Sequence, residues 1–498
     1  MSATRRQFLS AALVGLASKT DRPVLGGFID DGHELGHLLR DRAPFPAAKQ
    51  TIKIPVVIVG GGMAGLSAAW RLDKRGFRDF VLLEMLKQGG GNARWGENEI
   101  TAYPWAAHYV PVPGKKAALV RELFEELGVL RDGVWEERYL CFSPQERLYL
   151  HGRWQEGIEP VTAATTRDRE DFTRFGARMN EFRATGDFTI PMELGAKPST
   201  LDRLSIAEWL DQERFTSPYL RWYVNYACRD DYGALAKDIS AWAGVHYFAS
   251  REPDEKGPLT WPEGNGWIAR RLLQKLSPYV RTGAMVHHIS REGHRLRVSS
   301  GETDYLSERV IFAAPSFLAP YLFEDAPPVH GFVYSPWLTA NLTLDRLPKE
   351  HDIETAWDNV IYESPALGYV VATHQSLRTF MDRSVWTFYW SLAEGSPAAN
   401  RQLLLEKDWS YWKEAILHDL ERAHPDIREC VYHIDILRLG HAMARPVPGF
   451  LGSEERRRLS ETSGNFLFAN SDLSGFSIFE EAQYHGVRAA EQALGTLQ

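Results

Sequence analysis

The chain has 498 residues, 44% of them hydrophobic and 24% charged, and a formal net charge of −8. That length is more than one hydrophobic core usually organises, and the balanced composition excludes a disordered, fibrous or low-complexity chain. Basic residues are dispersed and outnumbered, which excludes a phosphate-tracking surface for nucleic acid.

In chain order, Thr4-Arg5-Arg6-Gln7-Phe8-Leu9-Ser10 precedes the short apolar run Ala11 to Ala17. This is the n-region and h-region order of a secretory signal, and the paired arginines before Phe-Leu match a twin-arginine signal for exporting folded proteins. Residues 1–19 are therefore expected to address the protein to the twin-arginine export machinery and the periplasm or beyond. No A-x-A cleavage site follows, so an uncleaved signal acting as a membrane anchor stays open. Residues 20–51 show no periodicity and read as an extended lead-in.

The folded body is expected near Ile52. Ile54 to Val59 is a short run of mostly β-branched residues, the pattern of a strand buried on both faces. Leu66 to Arg75 has helical composition, and Phe80 to Glu84 reads as a second buried strand, giving a βαβ unit. Residues 116–260 read as mostly helical, with amphipathic stretches at 116–127 and 167–185. Short strands are expected at 280–289, 295–300 and 307–313, then at 338–344, with a helix at 409–423 and a closing strand, polar turn and helix over 465–494. Cys141, Cys228 and Cys430 are far apart, with no CxxC pair, so neither a metal site nor a disulfide framework is expected.

The chemistry concentrates in Val59-Gly60-Gly61-Gly62-Met63-Ala64-Gly65. Gly60 permits the tight turn, Gly62 lets the backbone approach a pyrophosphate, and Gly65 lets helix and strand pack closely. The helix that follows offers its N–H groups and dipole to phosphate. Glu84 ends the next strand, where a carboxylate accepts from both ribose hydroxyls and disfavours a 2′-phosphate.

Beyond this unit come Gly89-Gly90-Gly91-Asn92-Ala93-Arg94 and Ala106-Ala107-His108-Tyr109. Later come Trp261-Pro262-Glu263-Gly264-Asn265-Gly266, Val286 within Ala284 to Ile289, Val310 to Pro315, and Phe468 to Asp472 followed by Glu480 to Ala490. In this order they resemble the flavin-containing amine oxidase superfamily. The resemblance implies an α/β fold: a Rossmann-like FAD-binding domain with a doubly wound parallel sheet, interleaved with an α+β substrate domain. Expected FAD-binding segments are 52–115, 261–325 and 441–498, and expected substrate segments are 116–260 and 326–440. It implies FAD held by Gly60, Gly62, Met63, Ala64, Gly65, Glu84, Met85, Asn92, Ala93, Arg94, Val286, Asp472, Glu481 and Ala482, with no metal.

The chain also departs from the family. The strand that carries a lysine near the flavin reads Trp337 to Leu344 with no lysine, and Asn341 is its nearest counterpart. One position of the family's aromatic cage holds Ile478, with Phe476 or Phe479 as substitutes. His441, just before the last FAD segment, is the other catalytic candidate. The expected function is an FAD-dependent oxidoreductase taking hydride from a C–N or C–C bond of a small organic molecule and passing electrons to oxygen or a redox partner. A desaturase or isomerase of an apolar substrate, or a flavin-binding assembly protein without catalysis, are the alternatives. His246, Tyr369 and His374 read as hydrogen-bonded core residues.

Overall fold

A computed structural model describes residues 23–497 apart from 30, 196, 199, 252–256, 350, 378–380 and 462–463. The expected twin-arginine segment lies outside the described residues.

The β-branched run forms the strand Gln50–Val59, whose residues 56–59 are almost fully buried. It is the centre of a parallel sheet, flanked by Phe80–Leu83 and then Val280–Arg281 on one side and by Thr303–Phe312 on the other. Phe466–Phe468 pairs in parallel with the end of Thr303–Phe312, while the first half of that strand joins an antiparallel meander with Arg295–Ser300 and Val286–Glu292. The result is a Rossmann-like α/β domain. Period-two alternation gives the central strand two cores: Val56 and Ile58 pack with helices Met63–Lys74 and Phe479–Leu497, whereas Val57 and Val59 pack toward the meander and the helices of the second domain. A side chain at Gly486 would meet the carbonyl oxygen of Ala64 at 2.1 Å, so only glycine lets these two helices touch.

The second domain is built on a mixed eight-stranded sheet. Its strands run in the order Leu25–Phe28, Val431–Ala444, Tyr334–Leu344, Ser384–Ser391, Gly368–Val371, Asp358–Ile361, Glu146–Leu150 and Arg153–Glu156. Helices Pro397–Glu406 and Trp409–Glu421 pack on this sheet, and Thr166–Thr185, Ile206–Gln212, Pro218–Tyr232 and Ala241–Ala249 form a further helical part.

The structure differs from the sequence expectation in three places. The lead-in is not merely extended: Leu25–Phe28 adds a parallel edge strand against Val431–Ala444, and His33–Arg40 is a helix. Gly26 hides the signal, because at φ 131° a side chain there would strike the carbonyl oxygen of Ile434. The mostly helical 116–260 segment also contains the hairpin Glu146–Leu150 and Arg153–Glu156, turned by His151 and Gly152, both at positive φ. Finally, Val431–Ala444 is one continuous strand across residue 441, so the expected domain boundary falls inside it.

Candidate functional site

A cavity of about 300 Å³ opens at the carboxyl ends of the parallel strands, where α/β sheets bind ligands. Gly60, Gly62, Met63 and Ala64 line it, and no side chain caps the helix that starts at Met63, so its first turn is free for an anion. Gly60 has φ 104° and donates its N–H to the Leu83 carbonyl. Gly65 does not touch the cavity: a Cβ there would be 1.9 Å from the Gly60 oxygen, so its absence sets helix against turn. Opposite, Gly91 brings its backbone close to Gly62, with a Cβ at Gly91 only 3.1 Å from the Gly62 Cα. Two backbone segments without side chains thus face each other, a cradle that a pyrophosphate fits.

Glu84 lines the cavity beside this cradle. Its Oε2 accepts from the Gly61 N–H at 2.7 Å and its Oε1 from the Leu86 N–H at 2.7 Å, which fixes the carboxylate in place. Burial pushes its pKa up, opposed by those two N–H groups and by the charge of Arg94. Met85, Val286, Asn92, Ala93, Asp472 and Ala482 line the cavity as well. The Asp472 Oδ2 accepts from the Ser316 N–H at 2.7 Å and from the Tyr334 hydroxyl at 2.5 Å.

The structure moves three expected site residues away from the cavity. Arg94 is buried without lining it and acts on Glu84 through its charge. Glu481 points the other way along its helix, accepting from the Met192 N–H and the Ser474 hydroxyl in a core that raises its pKa to about 8. Its neighbour Ala482 is the one that faces the cavity, as one step of a helix rotates the side chain by about 100°. Asn341 does not line this cavity. Its Nδ2 donates to the Pro104 carbonyl at 3.0 Å and its Oδ1 accepts from the Thr387 hydroxyl at 2.7 Å, so it ties two strands to the 104 segment and has no catalytic position.

His441 does reach the cavity wall. Its ring stacks on Phe317 at 4.2 Å, and desolvation, helped by Arg401 and His37, lowers its pKa to about 4, so the imidazole is neutral at pH 7. His246 and His374 are held by the carbonyls of Thr189 and Phe142, and Tyr369 by Arg147 and His424, as core residues. Phe476 stacks on His246, while Ile478 and Phe479 line the cavity.

Sequence reasoning missed what lies beyond. Through Asn92, Ala107, Asn265, Ala442, Ile478 and Phe479 the cavity shares walls with an inner chamber of about 130 Å³. Asp230, Asp231, Glu480, Arg251, Trp337 and Tyr389 also line that chamber. It shares Asp230, Arg251 and Tyr389 with a further chamber of about 300 Å³, lined also by Glu146, Asp358, Tyr226 and Trp357. Asp230 and Asp231 occupy the last turn of helix Pro218–Tyr232, the negative end of its dipole. Burial, aided by Asp231 and Glu146, raises the pKa of Asp230 to about 7, and burial raises that of Asp231 to about 6. Asp358 is pushed well above its usual range for the same reason. Among the described lining residues of all three cavities there is no lysine, and Arg251 is the one arginine. The adjacent acid pair in an aromatic, apolar helix was the available signal; Glu146 and Asp358 meet only through sheet pairing.

Fold and cradle together define a dinucleotide-binding Rossmann-like α/β domain joined to a second domain built on a mixed eight-stranded sheet. More narrowly, the chain has the fold of the flavin amine oxidase superfamily. A wild-type putrescine oxidase bound to putrescine is 18% identical, with a TM-score of 0.68 over 89% of this chain and 100% of that one. Cyclohexylamine oxidase from Brevibacterium oxydans IH-35A is 15% identical, with a TM-score of 0.66 over 89% and 99%. A CLA-producing fatty acid isomerase from P. acnes is 14% identical, with a TM-score of 0.62 over 87% and 97%. Residues 58–127 match the family described as an NAD(P)-binding Rossmann-like domain. A 111-residue segment is 32% identical to the Baeyer-Villiger monooxygenase peniC of Penicillium patulum, covering 22% of this chain and only 16% of that protein.

Proposed function

We propose that the protein is an FAD-dependent oxidoreductase that removes hydride from the carbon of a C–N bond in a small cationic amine. One observation carries the reading: the dinucleotide cavity shares walls with a chamber whose ionisable lining is dominated by carboxylates. A desaturase or isomerase of an apolar substrate, the second reading, draws on the apolar and aromatic part of the same lining, Trp337, Leu439, Met443 and Ile478.

When bound, FAD supplies the two-electron acceptor for the hydride. The chain supplies the rest. Glu84 would accept from the ribose hydroxyls, the first turn of Met63–Lys74 would hold the pyrophosphate, and Asp472 lines the same cavity. The N-terminal turn of Phe479–Leu497 lines both cavities, and its dipole favours the negative charge of the reduced ring. Ala107, Ile478, Phe479 and Ala442 close the wall between cofactor and substrate and exclude water. Asp230 and Asp231 attract the ammonium and are matched to take up a proton near neutral pH. The electron acceptor is oxygen or a redox partner; among the described lining residues there is no lysine to favour the first.

The reading includes export of the folded, FAD-loaded protein by the twin-arginine machinery, supported by Arg5-Arg6. Replacing both by lysine should leave the protein in the cytoplasm; an unchanged distribution removes that part. The function is tested by mixing holoprotein with aliphatic amines without oxygen and following the flavin bands. Bleaching supports it. Bleaching by dithionite but by no amine refutes it, and failure of every organic donor favours the assembly-protein alternative.

A further inference from the structure

A cleft of about 390 Å³, separate from the cofactor and substrate cavities, opens where three loops meet, with Lys237 and Asp238, Gly395 and Pro397, and Arg445 among its lining residues. Val333 also lines it, while the next residue, Tyr334, lines the cofactor cavity. Arg445 is only 4% exposed. Its Nε donates to the Ser335 hydroxyl at 2.6 Å and its Nη2 to the Gly233 carbonyl at 3.1 Å, both neutral oxygens. Among the described residues its Nη1 has no hydrogen-bond partner. Arg401, on helix Pro397–Glu406, likewise donates to a neutral oxygen, the Tyr334 carbonyl at 3.3 Å. The one carboxylate that acts on Arg445 is Asp238, whose Oδ1 is 2.8 Å from the Lys237 ammonium. Burial, with the charge of Arg401, lowers the pKa of Arg445 to about 10, and burial lowers that of Arg401. Two desolvated arginines that repel each other and lack a carboxylate contact are an uncompensated positive charge, which an anion would neutralise. Pro397 places the positive end of a ten-residue helix at the same cleft.

We propose that this cleft is an anion site that takes a phosphate group, with Arg445 as its principal ligand and Lys237 at its rim. A guanidinium with free N–H donors suits a phosphate better than a point charge does, and the second arginine and the helix end favour a dianion over a singly charged carboxylate. At about 30 Å³ per water molecule, the cleft has room for the organic part of a phosphomonoester as well as for free phosphate. The inference does not depend on which substrate the flavin oxidises.

The test uses FAD-saturated protein, so that the pyrophosphate cradle is filled, at fixed ionic strength with chloride as the reference anion. Inorganic phosphate and glycerol phosphate are titrated by calorimetry and by thermal unfolding. At least one should bind saturably and raise the melting temperature beyond what chloride does. Arg445→Gln should weaken that binding by at least about tenfold, and Arg445→Lys by less. Because Arg445 also holds Ser335 and Gly233, two rim variants read the site without disturbing those contacts. Lys237→Gln should weaken binding by about two- to fivefold, and Asp238→Asn, which removes the nearby negative charge, should tighten it by a similar factor. Tighter binding of glycerol phosphate supports an organic phosphate as the ligand, and tighter binding of phosphate supports the free ion. No saturable binding beyond chloride, or binding that either Arg445→Gln or Asp238→Asn leaves unchanged, overturns the proposal.

Discussion

Replacing Asp230 by Asn should stabilise the protein at alkaline pH and flatten its pH dependence. The carboxyl is half-buried at the negative end of helix Pro218–Tyr232, with Asp231 and Glu146 nearby, and its pKa rises from 3.8 to about 7. At about 1.4 kcal/mol per unit, that rise corresponds to roughly 4 kcal/mol. Water in the chambers screens part of it, leaving about 2 kcal/mol. The sign follows from proton counting. Below pH 4 both folded and unfolded states are protonated and the residue is neutral in its effect. Between about 4 and 7 the unfolded state releases its proton and the folded state keeps it, so stability falls as pH rises, and above 7 the full cost remains. Asn cannot ionise and keeps the shape. Thermal unfolding of the FAD-saturated protein from pH 4 to 8 should show the variant close to wild type at pH 4, pulling ahead as the pH rises, and about 2–4 °C more stable at pH 8. Parallel pH profiles, or a variant less stable at pH 8, would refute the enclosed-carboxylate argument.

Further predictions concern the cofactor cradle. Gly65→Ala places a methyl 1.9 Å from the Gly60 oxygen and should separate helix from turn, costing at least about 1–3 kcal/mol and abolishing flavin retention on gel filtration. Glu84→Gln should weaken FAD binding by about tenfold, seen by fluorescence on reconstitution, while the protein still folds. Asn341→Ala should destabilise the fold by about 1–3 kcal/mol by orphaning its partners, with turnover per bound flavin unchanged; a selective loss of turnover would restore it to the site. Deleting residues up to 45 should speed FAD loss, because Leu39 lines the cavity and Phe45 stacks on His287 beside Val286, whereas deletion up to 22 should not.

The cofactor half of the site was legible because its constraints are local. A β-branched run, glycines at 60, 62 and 65 and an acid at 84 follow one another within a single βαβ unit, and each has a steric or hydrogen-bonding reason that one segment contains. The meander and the closing helix were legible for the same reason. Errors arose where a role depends on rotation or on distant pairing. Glu481 and Ala482 differ by one helical step, and only the packing of Phe479–Leu497 on Met63–Lys74 decides which faces the cavity. Asn341 matched its counterpart by position in a strand, yet the register with Ser384–Ser391 turns it toward Thr387. Leu25–Phe28 escaped notice because a four-residue strand with two glycines has no hydrophobic period. The acidic chambers were least legible of all, since their walls come from helix Pro218–Tyr232 and two strands more than 200 residues apart in sequence.

The central claim, an FAD oxidoreductase with a cation-selecting chamber, is tested most directly by the visible spectrum of the purified, FAD-reconstituted protein before and after anaerobic addition of an aliphatic amine. The account predicts flavin bands that persist through gel filtration and bleach on addition of the amine. A protein that retains no flavin, or a bound flavin that dithionite bleaches and no amine does, would contradict it.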